Sequence, residues 1–156
     1  MRLVHIALAA SLLASPALAA PAACPVKEIT NHGDFLSFGG YSMHLLGGDG
    51  DPTAWEGPMT VTSASGKTCS AELSIISPPF FAAGSHYLYV TTYSGSQSYQ
   101  DLIDLRDCSD KWHKDDVFVG SPQFVKGDTF IYREAAPVKI GPDCLPEVPA
   151  AASASK

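Results

Sequence analysis

The chain has 156 residues, 46% of them hydrophobic and 10% aromatic, with 16 acidic against 10 basic residues and a net charge of −6. The acidic excess is spread along the chain with no basic patch, which makes nucleic acid and anionic membranes poor partners. That length suits one domain with a modest core.

The N-terminus opens on Met1-Arg2-Leu3-Val4-His5, followed by an apolar, alanine-rich run from Ile6 to Ala19 and then Pro21-Ala22-Ala23. One positive charge, a short apolar stretch and small residues at Ala17 and Ala19 predict a secretory signal peptide over residues 1–23. Export to the periplasm follows, with no membrane segment in the mature form. Cys24 stands at the junction, but Pro21 occupies the place where a lipoprotein signal wants leucine. A single β domain is expected from residue 24 to 145, and a flexible alanine-, serine- and proline-rich tail over 146–156.

Short apolar patches come first: Val26 and Ile29, Phe35 to Phe38, and Tyr41 to Leu46, with Gly39-Gly40 breaking the second from the third. Gly47 to Pro52 is a glycine- and aspartate-rich loop. Asp49, Gly50 and Asp51 lack the oxygen spacing and closing glutamate of a calcium loop, so a plain acidic loop is expected. Met59 to Ile76 predicts a hairpin turning at Ser65-Gly66-Lys67, and Pro78-Pro79 is expected to stop it. Tyr87 to Cys108 predicts two half-buried strands joined by the polar tip Tyr93-Ser94-Gly95-Ser96-Gln97-Ser98-Tyr99. A helix competes only over Leu102 to Asp107. Ser109 to Asp116 is charged and loop-like, with Trp112 its one anchor. Short strands follow at Val117 to Val119, Gln123 to Val125, Thr129 to Arg133 and Val138 to Ile140.

Phe81-Ala-Ala-Gly84-Ser-His-Tyr87-Leu88-Tyr89 matches Phe124-Val-Lys-Gly127-Asp-Thr-Phe130-Ile131-Tyr132 position by position, and Phe38 to Leu46 is a weaker echo. Such a period suggests propeller blades, though three units do not close a ring. The fold expected is therefore all-β, with small antiparallel sheets in a partial propeller-like arrangement stapled by disulfides; a small β-sandwich or barrel is the alternative. The middle unit has room for a longer hairpin, which the Ser94-to-Ser98 tip would use.

Cys24, Cys69, Cys108 and Cys144 all lie beyond the signal segment, and their wide spacing fits no redox or zinc motif. An even count in an oxidising compartment argues for two disulfides. Three pairings are open; Cys69–Cys108 between neighbouring hairpins and Cys24–Cys144 between the ends are favoured.

Catalytic motifs are missing. His32, His44, His86 and His113 show no metal-pair spacing, and no metal or cofactor is expected. Ser96, His113 and Asp101 assemble into a triad on paper, yet no nucleophile elbow supports them, so the chain is not read as an enzyme. A small, acidic, disulfide-stapled β protein of this kind is suited to displaying a rigid loop. Ser94 and Ser96 could each donate and accept a hydrogen bond inside a narrow cleft.

Over Val61 to Cys144 the chain resembles the periplasmic immunity proteins that neutralise peptidoglycan amidase effectors of the bacterial type VI secretion system. The resemblance lies in Ser65-Gly66…Cys69, Tyr87-Leu88, Tyr93-Ser94-Gly95-Ser96, the run from Ser94 to Cys108, the last segment to Cys144 and the exported N-terminus. It implies an all-β fold whose serine-bearing loop enters the cleft of a secreted cysteine–histidine amidase and bonds to the catalytic histidine. The contacting serine falls on Ser96, with Ser94, Gly95, Gln97 and Ser98 lining the same cleft. The runner-up is a periplasmic lysozyme inhibitor, on the looser likeness of Ser94-Gly95…Tyr99; a third reading is a non-enzymatic envelope domain.

Overall fold

The computed structural model describes residues 23–47, 53–115, 124–132 and 135–147. Residues 1–22 of the expected signal peptide, the loop aspartates 49 and 51, the strand expected over 117–119 and the tail from 148 lie outside them. Strands form where β-branched and aromatic residues cluster. In order they are β1 Val26–Ile29, β2 Phe35–Phe38, β3 Tyr41–Leu46, β4 Trp55–Ser63, β5 Thr68–Ala71 and β6 Ile75–Ala83. Then come β7 Tyr87–Ser94, β8 Gln97–Asp104, β9 Ser109–Lys114, β10 Phe124–Lys126, β11 Thr129–Ile131 and β12 Val138–Lys139.

The first nine strands make one antiparallel sheet, ordered β2-β3-β4-β6-β7-β8-β9, with β1 on β6 and β5 on β4. The last three make a small second sheet. The large sheet bends around one core, since Leu88, Val90 and Ile103 of β7 and β8 share a cluster with Leu36, Met43, Met59 and Val61 of β2 to β4. Its other face carries Phe81, Tyr89 and Leu102 and is covered by Phe130, Tyr132 and Ile140 from the small sheet and its flanks. The alternation along β7 is therefore as expected, with Leu88 and Val90 opposite Tyr89. Both faces are buried rather than one, because two cores share the strand.

An all-β fold with two antiparallel sheets and two disulfides is present, but neither sheet closes into a barrel or propeller among the described residues. The internal repeat marks two hairpins instead of blades. Gly84 and Gly127 both sit near φ +60° at their turns. The β6–β7 turn holds three residues between Ala83 and Tyr87, whereas β10–β11 holds two between Lys126 and Thr129, so Phe81 pairs with Tyr89 but Phe124 with Ile131. The two hairpins face each other across the second core: the Phe130 ring meets Phe81 edge-on at 5.3 Å and lies 4.7 Å from Tyr89.

Two local expectations are corrected, and the strand reading is kept where a helix competed with it. Pro78-Pro79 does not end its strand; β6 runs through it, and the ladder to β7 skips from Ser77 to Phe81 because proline has no N–H to donate. Ser109 to Lys114 is strand β9, since pairing with β8 supplies the backbone bonds that its charged side chains do not advertise. Leu102 to Asp104 stays extended, with Leu102 and Ile103 facing different cores. The domain also continues slightly past residue 145. Pro146 bridges to Ile140, and Glu147 accepts from the Lys139 ammonium at 2.9 Å.

The disulfides are Cys24–Cys144, spanning 120 residues, and Cys69–Cys108, spanning 39. Gly84 packs under the first, where a Cβ would stand 2.7 Å from the Cys144 sulfur.

The turn from β8 to β9 is held by Asp104, whose side chain is 1% exposed. It accepts from the Arg106 Nε at 2.9 Å, Nη2 at 2.6 Å and backbone N–H at 3.0 Å. The Arg106 side-chain bonds hold its carboxyl below the usual carboxylate range against the opposing effect of burial, with the Arg106 N–H and the charges of Arg106 and His86 adding to them. A carboxyl lowered on folding stabilises above its unfolded pKa of about 4, and that stability is lost as pH falls through the folded value. Asp104→Asn should therefore cost about 1.5–3 kcal/mol at pH 7. Urea unfolding from pH 7 down to pH 3 should show the penalty shrinking at the acid end; a pH-independent penalty would refute the assignment.

Candidate functional site

Every residue from Tyr87 to Ser94 except the last is a good strand former, and β7 pairs with β8 without interruption from Tyr87–Asp104 to Ser94–Gln97. The loop is consequently only Gly95-Ser96. Gly95 has φ +61° and Ser96 does not share that sign, the pattern of a type II′ hairpin turn, whose first central position favours glycine. The expected five-residue polar tip is thus a two-residue turn on a long ladder. Its polar side chains resembled a loop, but ladder bonds are made by the backbone whatever the side chain.

Ser94, Gly95, Ser96 and Gln97 are exposed, while Ser98 is buried. Ser98 is therefore withdrawn from any partner-facing surface. Tyr93 and Tyr99 do not bracket the tip on one side. Tyr93 pairs with Ser98, and Tyr99 with Thr92, so strand alternation sends the two rings to opposite faces. Tyr99 is on the side of Leu88, Val90 and Thr92. Its hydroxyl donates to Gln97 Oε1 at 2.8 Å, and its ring lies 5.0 Å from that of His113.

That contact leads to a group of which the sequence singled out Asp101 and His113 but not Thr92 or Asp110. Thr92 Oγ1 donates to Asp101 Oδ2 at 2.6 Å, and Asp101 Oδ1 lies 2.5 Å from His113 Nδ1. Asp110 joins them from the other end of β9. Normally residues three apart on a strand face opposite ways. Here Leu102 pairs with Trp112 and Ile103 with Asp110, so Lys111 is an extra residue, and this bulge returns Asp110 to the face of His113. The three groups line a cavity of about 250 Å³ with Glu72, Leu73, Ser74, Thr92 and Tyr99. Alternation on β8 hinted at Tyr99, Asp101 and Ile103 sharing a face; the bulge left no sequence signal.

Burial opposes the charged form of His113, but the hydrogen bonds and charges of Asp101 and then Asp115 outweigh it, so its pKa is raised. Burial pushes the Asp110 carboxyl up, helped by the charge of Asp101 and countered by the Trp112 N–H, which donates to it at 3.0 Å, and by His113. Of the triad assembled on paper, Asp101 and His113 do meet. The other ring nitrogen, Nε2, faces Asp115 Oδ1 at 3.1 Å rather than a hydroxyl. With a carboxylate at each nitrogen, both N–H groups of the charged imidazole would have an acceptor. His44 stacks on Phe35 at 4.6 Å and His86 lies against Tyr87 at 4.3 Å, both away from this cluster.

Comparison of the chain with protein-family models and with curated proteins finds no match.

Proposed function

We propose that the protein is a non-catalytic periplasmic immunity protein that inhibits a secreted peptidoglycan amidase by inserting the β7–β8 tip into the enzyme's cysteine–histidine cleft. The observation that carries this reading is the tip itself, four small or polar exposed residues ending a hairpin whose strands are buried on both faces. A narrow tip on a stiff hairpin enters a cleft with little ordering cost. The Cys69–Cys108 disulfide anchors the opposite end of that hairpin, because Cys108 lies in the turn just beyond β8. The resemblance described above supplies the class of partner and centres the contact on Ser96, with Ser94, Gly95 and Gln97 beside it.

A mature, oxidised sample titrated calorimetrically into a secreted cysteine amidase tests the proposal, with sacculus hydrolysis as the second readout. Ser96→Arg should weaken binding by about 2–4 kcal/mol, since the side chain is exposed when free and buried in the complex. Ser96→Ala should cost about 1 kcal/mol, the loss of one hydrogen bond. Equal affinity of wild type and Ser96→Arg refutes the placement of the tip. Inhibition of a lysozyme with no effect on amidases refutes the partner class.

A further inference from the structure

We propose that Asp101, Asp110 and His113 form a binding site for a divalent transition-metal ion of the zinc class. Their ligand atoms, one carboxylate oxygen from each aspartate and a ring nitrogen, all lie within 4.8 Å of one another. That spread closes onto an ion at ordinary bond lengths of about 2 Å with small side-chain rotations. The convergence depends on the β9 bulge, without which Asp110 would face away from His113. Bulges re-aim side chains at functional sites, and this one re-aims a ligand.

The donor set selects the metal. An imidazole beside two carboxylates suits zinc and its neighbours, whereas calcium and magnesium prefer oxygen alone. Thiolate is excluded, because all four cysteines are in disulfides. Each ligand also has an outer partner that orients it: Thr92 on Asp101, the Trp112 N–H on Asp110, and Asp115 on His113 Nε2. Carboxylate-to-histidine support of this kind fixes the ring and raises its basicity towards a metal. The ion would replace the proton now shared between His113 Nδ1 and Asp101 Oδ1, and that proton leaves to solvent. The adjoining cavity leaves room for water or Glu72 to complete the coordination. Through Tyr99, which touches both His113 and Gln97, the bound ion would stand directly behind the hairpin tip.

The test is titration of chelator-treated, oxidised protein with Zn²⁺ by calorimetry and with Co²⁺ by visible absorption. Wild type should take up about one equivalent, and Asp110→Asn and His113→Gln should each weaken binding at least about tenfold, with His86→Gln unchanged. Asp110 is exposed, so its variant keeps the fold, which far-ultraviolet circular dichroism verifies. No saturable Zn²⁺ uptake below about 1 mM overturns the proposal. So does uptake that survives both substitutions, or Ca²⁺ binding more tightly than Zn²⁺. The amidase titration reads a different property, so failure of either idea is visible without the other.

Discussion

Trp55→Ala should destabilise the protein by about 3–5 kcal/mol, the largest loss expected from any single core truncation. Trp55 is 1% exposed and lies in the first core, its ring 6.0 Å from Phe80. It opens β4 at the point where that strand passes from β3 and Leu46 to β6, through the pairs Glu56–Leu46 and Trp55–Ile76. Its indole N–H donates to Asp34 Oδ1 at 2.9 Å, tying the loop before β2 to the same point. Truncation therefore removes apolar contact, a cavity-sized volume and a polar partner together. Trp55→Phe keeps much of the packing and should cost about 1–2 kcal/mol, mainly the lost bond and residual void. Urea unfolding measures both. The midpoint should shift at constant slope, and a loss under about 1 kcal/mol for the alanine variant would show that this corner is not part of the cooperative core.

On the chain-entropy account, replacing Cys24 and Cys144 together by serine should cost about 5 kcal/mol, and replacing Cys69 and Cys108 about 1 kcal/mol less. The reason is loop size, 120 residues against 39. The longer staple also joins the first residues of the domain to the segment that closes the second core. Cys24, Cys144, Tyr89 and Phe130 share that cluster, and the buried Tyr89 hydroxyl donates to the Cys144 carbonyl at 2.9 Å. Burial pushes the Tyr89 phenol well above its ordinary pKa, so it remains a donor at any physiological pH. Denaturant unfolding of the two double-serine variants under identical conditions tests the ranking. A smaller loss for the Cys24–Cys144 pair would mean that the termini contribute little beyond the small sheet.

Much of the strand pattern was legible locally. The Ser65-Gly66-Lys67 turn, Gly39-Gly40 and the Tyr87–Thr92 alternation each come from a few adjacent residues, and each appears in the ladder. Misreadings fell where side chains and backbone disagree. β9 is built from Ser-Asp-Lys-Trp-His-Lys, a composition that says loop, and it is a strand because β8 offers it bonds. Ser94, Gln97 and Ser98 looked like a loop for the same reason. The matching Phe–Gly–Tyr segments were real hairpins, but their opposite placement across a core, instead of around an axis, involves contacts far apart in sequence.

By itself the sequence determined the all-β class, the two-disulfide framework, and a hairpin carrying Ser94 to Gln97 near its tip, because periodicity, cysteine count and turn chemistry are written in neighbouring residues. Only the tertiary structure decided that Ser98 is buried, that Tyr93 and Tyr99 part to opposite faces, and that Asp101, Asp110 and His113 converge. Those outcomes depend on strand register and on one inserted residue at Lys111. Register is set by pairing between separate strands, and a single-residue bulge reverses which face every later side chain occupies.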